Sequence, residues 1–274
     1  SNISKSFFMI DIIILTSSSK GSASYIIPTL IKSDQINISA IILTKSKVKN
    51  KNKFFIRKIK KIFQIGFFGS LIGIIMRKWY SEKVLEIEEC SSLEEISFKY
   101  SIPLIKTSKL NSNDTINAIR NSKAKLGVSL GNSYISKRVF TIPALGFINI
   151  HHELLPEYKN AQSIIWQIFN KSEVSGYTIH QIDSLIDNGK ILYRQEIPIK
   201  FTKTLSNTVA VNYLELRKKS ADGLLEVLKD FGLYKNNAKK QPTGSSYTTP
   251  TFKQFIKIYK NYIFLRNKAK HKIL

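Results

Sequence analysis

Residues 146–192 read GFINIHHELLPEYKNAQSIIWQIFNKSEVSGYTIHQIDSLIDNGKIL, and the fold follows from this stretch. Phe147-Ile148-Asn149-Ile150-His151 alternates polar and apolar residues at period two. As a strand it puts Asn149 and His151 on one face and Ile148 and Ile150 on the other. A turn, Leu154-Leu155-Pro156, comes next, then a helix-like run around Trp166. A second strand, Tyr177–Ile182, ends in a loop carrying Asp187-Asn188-Gly189. An amide, an imidazole and a carboxylate are thus offered at two strand ends, where open α/β sheets hold their ligands.

Outward from this stretch, the chain alternates strands and helices. Phe8–Leu15 is an isoleucine-rich run broken only by Asp11 and reads as a buried strand. A small-residue loop, Ser17–Ser24, leads to a helix over Tyr25–Lys32, which accommodates Pro28 only in its first turn. Strand, small-residue loop and helix is the layout of a phosphate cradle, with Gly21 and Ser22 as candidate contacts, and equally that of a plain βα turn capped by serine. Ile38–Leu43 reads as a strand, and Val84–Ile87 as a short one. Ser91 and Ser92 ahead of Glu94 and Glu95 mark a helix start, Ile102–Ile105 an edge strand, Ser112–Ser122 a capped helix and Leu126–Leu130 a further strand. Such alternation predicts a mostly parallel sheet with helices on both faces. After Lys200 come a long helical stretch, Leu205–Leu228, a turn-rich segment, 241–250, and a basic aromatic helix, Phe252–Leu274. These divide the chain into an α/β domain, 1–205, with a basic and apolar insertion at 45–81, and a helical, basic extension, 206–274.

The 274 residues carry a formal net charge of +24 and one cysteine, Cys90. The charge points to a polyanionic partner: a nucleotide, RNA, a polyglutamylated cofactor or an anionic membrane. A single cysteine excludes an internal disulfide and fits a reducing cytoplasm. Ser1-Asn2 and the next few residues lack the features of a signal peptide. Neither 45–81 nor 235–274 contains an acidic residue. Within the first, KSKVKNKNKFFIRKIKK precedes an apolar run, Ile62–Met76, shorter than the ~18 residues of a membrane span. Cationic flanks with Trp79 and Tyr80 are also the pattern of an interfacial helix. The preferred reading is an inserted helix or lid packed on the domain beside the site.

The four histidines, His151, His152, His180 and His271, show no HxxxH spacing, and no CxxC occurs, which argues against a metal centre. No GxSxG elbow marks a serine nucleophile. Asn149, His151 and Asp187 together suit direct acyl transfer between two bound substrates. An amide donates to the oxyanion, and imidazole and carboxylate handle protons. From spacing alone they equally read as a core histidine and a loop-capping aspartate.

These residues resemble the folate-dependent formyltransferases: the glycinamide ribonucleotide, methionyl-tRNA and sugar N-formyltransferase types. Asn149-Ile150-His151, Leu154-Leu155-Pro156 and Asp187-Asn188-Gly189 carry the likeness, supported by Gly176–His180 and the Trp166 helix. It covers roughly Ile10 to Lys200, and more loosely Gly244–Tyr247. The resemblance implies a Rossmann-like fold, 10-formyltetrahydrofolate as donor and catalytic roles for Asn149, His151 and Asp187. By position it puts the pterin between Ser129-Leu130-Gly131-Asn132-Ser133 and Ser184-Leu185-Ile186-Asp187, and the acceptor near Tyr158 and Gln162. No metal is implied. Asn160 stands where the family usually has a glycine, and Lys125 where it has an aspartate. Methionyl-tRNA formyltransferases resemble this core but carry a further β-barrel, for which 206–274 is thin. A small anionic amine, such as a nucleotide-linked amino sugar, is therefore the expected acceptor. tRNA is the alternative that the charge keeps open, and a basic RNA- or membrane-surface module without activity a third. Sugar N-formyltransferases often have short C-terminal extensions used for dimerisation or as small accessory modules, so a homodimer is a further expectation of the resemblance.

Overall fold

The computed structural model describes residues 9–44 and 51–271. The N-terminal residues through Phe8, the start of the basic run at 45–50 and the last three residues lie outside the described part.

Seven strands form one sheet in the order β3-β2-β1-β4-β5-β6-β7. They are β1 (Ile10–Thr16), β2 (Ile36–Thr44), β3 (Leu104–Thr107), β4 (Leu126–Leu130), β5 (Phe147–His151), β6 (Val174–Gln181) and β7 (Ile191–Pro198). The first five run parallel, and β6 and β7 are added antiparallel. The helices are α1 (Ser22–Leu30), α2 (Lys51–Trp79), α3 (Glu82–Ile87), α4 (Leu93–Tyr100), α5 (Asn113–Ser122), α6 (Lys137–Phe140), α7 (Ile165–Phe169), α8 (Leu205–Lys229), α9 (Phe231–Asn236) and α10 (Phe252–His271). Strand order reverses at β1, between β2 and β4, and a crevice opens at the carboxyl ends beside such a switch point.

The isoleucine run of β1 is explained by burial on both faces. Ile12 and Ile14 join one apolar cluster, and Ile13 and Leu15 join the other. The first cluster also takes Ile148 and Ile150 of β5 and the inner face of α8, including Leu216 and Leu224. The segment from 206 onward therefore begins with a helix seated in the main core. Ser92 and Glu95 close a capping box that starts α4.

Two local expectations are corrected, and the inserted helix shows a break. Val84–Ile87 lies in helix α3, where Val84 is buried against Ala210 and Leu214. Three apolar residues around Glu86 are too few to set a period and allow either state, and packing on α8 decides. Helix α1 starts at Ser22, so Pro28 sits in its last turns rather than its first. The inserted helix α2 is not continuous. It breaks at Gly66, whose φ of 77° and ψ of 164° favour a residue without a Cβ.

Candidate active site

The pairing of β4, β5 and β6 sets Ser129, Asn149 and His180 side by side. Ser129 and His180 are buried. His180 Nδ1 lies 2.8 Å from the Gln181 carbonyl, which only accepts, so Nδ1 carries the proton. Nε2 is then the acceptor for the Asn149 amide, whose Nδ2 is 3.3 Å away. Burial pushes the His180 pKa down to about 4, against a weaker upward pull from Asp187, so the ring is neutral near pH 7. A neutral imidazole thereby orients the Asn149 amide and leaves it one further N–H.

His151 is oriented by the other edge of its ring. Its Nε2 donates to the Tyr158 carbonyl at 2.8 Å, and its Nδ1 faces Asp187 Oδ2 at 3.8 Å. The second oxygen of Asp187 stands 3.8 Å from His180 Nε2. Asp187 also accepts the backbone N–H of Asn160 at 3.0 Å. Asn160 has a φ of 53°, a left-handed conformation that asparagine tolerates and glycine adopts freely, which accounts for its place in the turn. The glycine of Asp-x-Gly has a steric cause. A Cβ on Gly189 would lie 1.7 Å from the Gln181 carbonyl oxygen.

At the back of the site, the buried His152 packs its ring against Tyr213, both lining the cleft, with Nε2 3.3 Å from Ser220 Oγ. Burial lowers its pKa to about 3, with Arg217 adding to the effect. Glu153 is fully buried, and burial raises its carboxyl well above the usual range despite the Gln167 amide donating to it. Thr178 ties this turn to β6, accepting from the Leu155 N–H and donating to the Glu153 carbonyl.

Asn149, His151, His152, His180 and Asp187 line an open cleft of about 550 Å³. Ser129, Gly131, Asn132 and Ser133 form one wall, Leu185, Ile186 and Asp187 another, and Asn160 and Gln162 a third side. Leu185 and Ile186 are exposed, and Asn132 Oδ1 is buried without a hydrogen-bond partner among the described residues. An apolar pair on one wall and an orphaned acceptor on the other suit a flat heteroaromatic ring such as a pterin. Leu130 and Ser184 do not line this cleft, Leu130 pointing into the core. Tyr158 stays outside it too, stacked on Tyr247 while its carbonyl holds His151.

Gly21 and Ser22 are apart from this group. They start α1, and α4 packs against their loop, Leu93 N–H donating to the Ser19 carbonyl. Glu94 beside that loop is held at a pKa of about 2 by Lys106 and Ser19. The loop therefore faces a carboxylate, which opposes its use as a phosphate cradle.

Two contributors were not picked out from the sequence. His180 sits opposite Asn149, a relation visible only once β6 is registered antiparallel on β5. The segment 241–250 reaches back over the site. Gln241 donates to the carbonyls of Asp187 and Gly189, and Asn160 donates to the Tyr247 carbonyl. Tyr247 packs between Tyr158 and Trp166.

Residues 79–227, just over half of the chain, match the model of the family described as formyl transferase. The chain belongs to this formyl transferase family. The methionyl-tRNA formyltransferase of Azobacteroides pseudotrichonymphae genomovar. CFP2 is 33% identical over 116 residues, 42% of this chain and 36% of that protein. The one from Thermosipho africanus (strain TCF52B) is 28% identical over 180 residues, 65% of this chain and 56% of that protein. The chain thus spans between about a third and just over half of the length of these curated relatives. A sugar N-formyltransferase from Shewanella sp FDAARGOS_354 superposes with a TM-score of 0.54 at 18% identity, covering 92% of this chain and 88% of that one. Phosphoribosylglycinamide formyltransferase from Anaplasma phagocytophilum gives 0.54 at 16% identity, covering 81% and 87%. At these identities the structural likeness establishes the fold of this chain.

Proposed function

We propose that this formyl transferase moves a formyl group from 10-formyltetrahydrofolate to the primary amine of a small anionic acceptor, a nucleotide-linked amino sugar. The observation that supports this most is the arrangement of Asn149, His151 and Asp187 on one cleft at the strand ends, with His180 fixing the amide. The donor, when bound, supplies an activated formyl carbon beside these groups. Asn149 directs its remaining N–H at the oxygen on which negative charge develops. His151, with Nε2–H spent on Tyr158, has Nδ1 to exchange a proton or stabilise that charge. Asp187 orients His151 and takes the proton that the attacking amine gives up, directly or through one water.

The size and polar lining of the cleft favour a small acceptor, and the net charge of +24 favours an anionic one. A second reading, transfer to methionyl-tRNA, draws on the names of the curated relatives and on the same charge. The test is to incubate the protein with 10-formyltetrahydrofolate and a panel of amines, nucleotide-linked amino sugars and methionyl-tRNA among them, and to follow tetrahydrofolate release. Release that depends on an amino sugar is the expected result. Release with methionyl-tRNA alone selects the second reading. None with any amine leaves a binding module on a formyl transferase fold.

A further inference from the structure

Helix α2 carries an apolar face that the rest of the described protein leaves uncovered. One side is packed down: Ile65 and Met76 are buried, Gly69 abuts Pro250 and Thr251, and a Cβ on Gly73 would lie 2.6 Å from Thr249 Cγ2. The other side exposes Phe63 (85%), Phe67 (69%), Phe68 (61%), Leu71 (47%), Ile74 (50%) and Ile75 (48%). Helix α10 extends this face, since the rings of Phe68 and the half-exposed Phe252 are 5.6 Å apart. Contiguous apolar surface of this kind marks an interaction site. Its surroundings are cationic. Lys60, Arg77 and Lys78 on α2 and Lys253, Lys257 and Lys260 on α10 are exposed, and no acidic residue occurs in 45–81 or 235–274.

We propose that the α2–α10 face docks on an anionic membrane surface. Bulky apolar side chains ringed by lysine and arginine match the acyl boundary and the headgroups of such a bilayer together. RNA is the less favoured partner because Leu71, Ile74 and Ile75 of this face gain nothing from bases or phosphates, although its phenylalanines are able to stack on bases. A second copy is disfavoured because pairing like faces would bring two strongly net-positive rims together. The stretch Ile62–Ile87 is long and apolar enough to cross a membrane by length and composition. Its packed side is fixed to residues 249–251, however, so the helix lies in the interface plane. This docking stands apart from the formyl-transfer reading and is tested without it.

The experiment is co-sedimentation of the full chain with vesicles of phosphatidylcholine alone and with about one-third phosphatidylglycerol, at low and physiological salt. Binding to the anionic vesicles only is expected, with a loss of at least ~10-fold for the paired variant Phe63→Ser, Phe67→Ser, whose sites are solvent-exposed. Phe67→Trp serves as an independent reporter, its emission shifting to the blue on anionic vesicles. No binding to anionic vesicles, undiminished binding of the paired variant, or an unshifted Phe67→Trp emission overturns the proposal. So does a dimer, or a saturable tRNA complex, that the paired variant abolishes.

Discussion

At the scale of single residues, the account depends on three side chains and the groups that aim them. Asn149→Ala removes the proposed oxyanion donor and is expected to lower turnover by ~10²-fold or more. His151→Ala is expected to cost ~10²–10⁴-fold, as for other acid–base groups, and Asp187→Asn a comparable amount. Steady-state rates with the accepted amine, alongside circular dichroism to verify folding, check all three. A near-wild-type rate removes that residue from the mechanism. The buried titratable groups predict a pH dependence of stability. His180 has a folded pKa of about 4 against an ordinary 6.5, so the unfolded chain binds the extra proton between those values. Its contribution is complete above 6.5 and falls as pH drops toward 4. Glu153 is raised from 4.5, so its neutral form is favoured by folding and stability falls as pH rises through its folded pKa. Thermal midpoints across pH should show the acid-side decline weakened in His180→Gln and the alkaline-side decline weakened in Glu153→Gln. Unchanged profiles would contradict these assignments.

At the scale of elements, two strand ends and one returning segment build the site. The alternation in Phe147–His151 was legible because a half-polar strand writes its faces into its period. His180 was not, because its partner is set by the antiparallel register of β6 on β5, which no local pattern encodes. Val84–Ile87 was misread because its state is decided by α8, more than a hundred residues away. The segment 241–250 looked like a turn-rich tail, yet Gln241 pins the backbone at Asp187 and Gly189. Gln241→Ala should loosen that loop and lower turnover by ~10–10²-fold while the thermal midpoint changes little, since small displacements of a reacting group are costly. Turnover equal to wild type would show that the loop holds its place without Gln241.

At the scale of the whole molecule, a sheet buried on both faces fixes the positions of the strand ends, and the chain carries a large excess of positive charge. The fold class was readable from the βα alternation and from the isoleucine runs that burial on both faces demands. What α2 exposes was not, because its composition fits a packed lid and an interfacial helix equally, and only its packing on 249–251 shows which side stays free. If the charge of +24 focuses anionic substrates, the Michaelis constant should rise as salt is added while the maximal rate holds. A constant insensitive to salt would exclude that role. The central claim, that formyl transfer is performed in this cleft by Asn149, His151 and Asp187, is tested most directly by measuring amine-dependent tetrahydrofolate release from 10-formyltetrahydrofolate by the wild type and by Asn149→Ala under identical conditions. Release by the wild type, reduced ~10²-fold or more in the variant, is the predicted result. Equal release by both would contradict it.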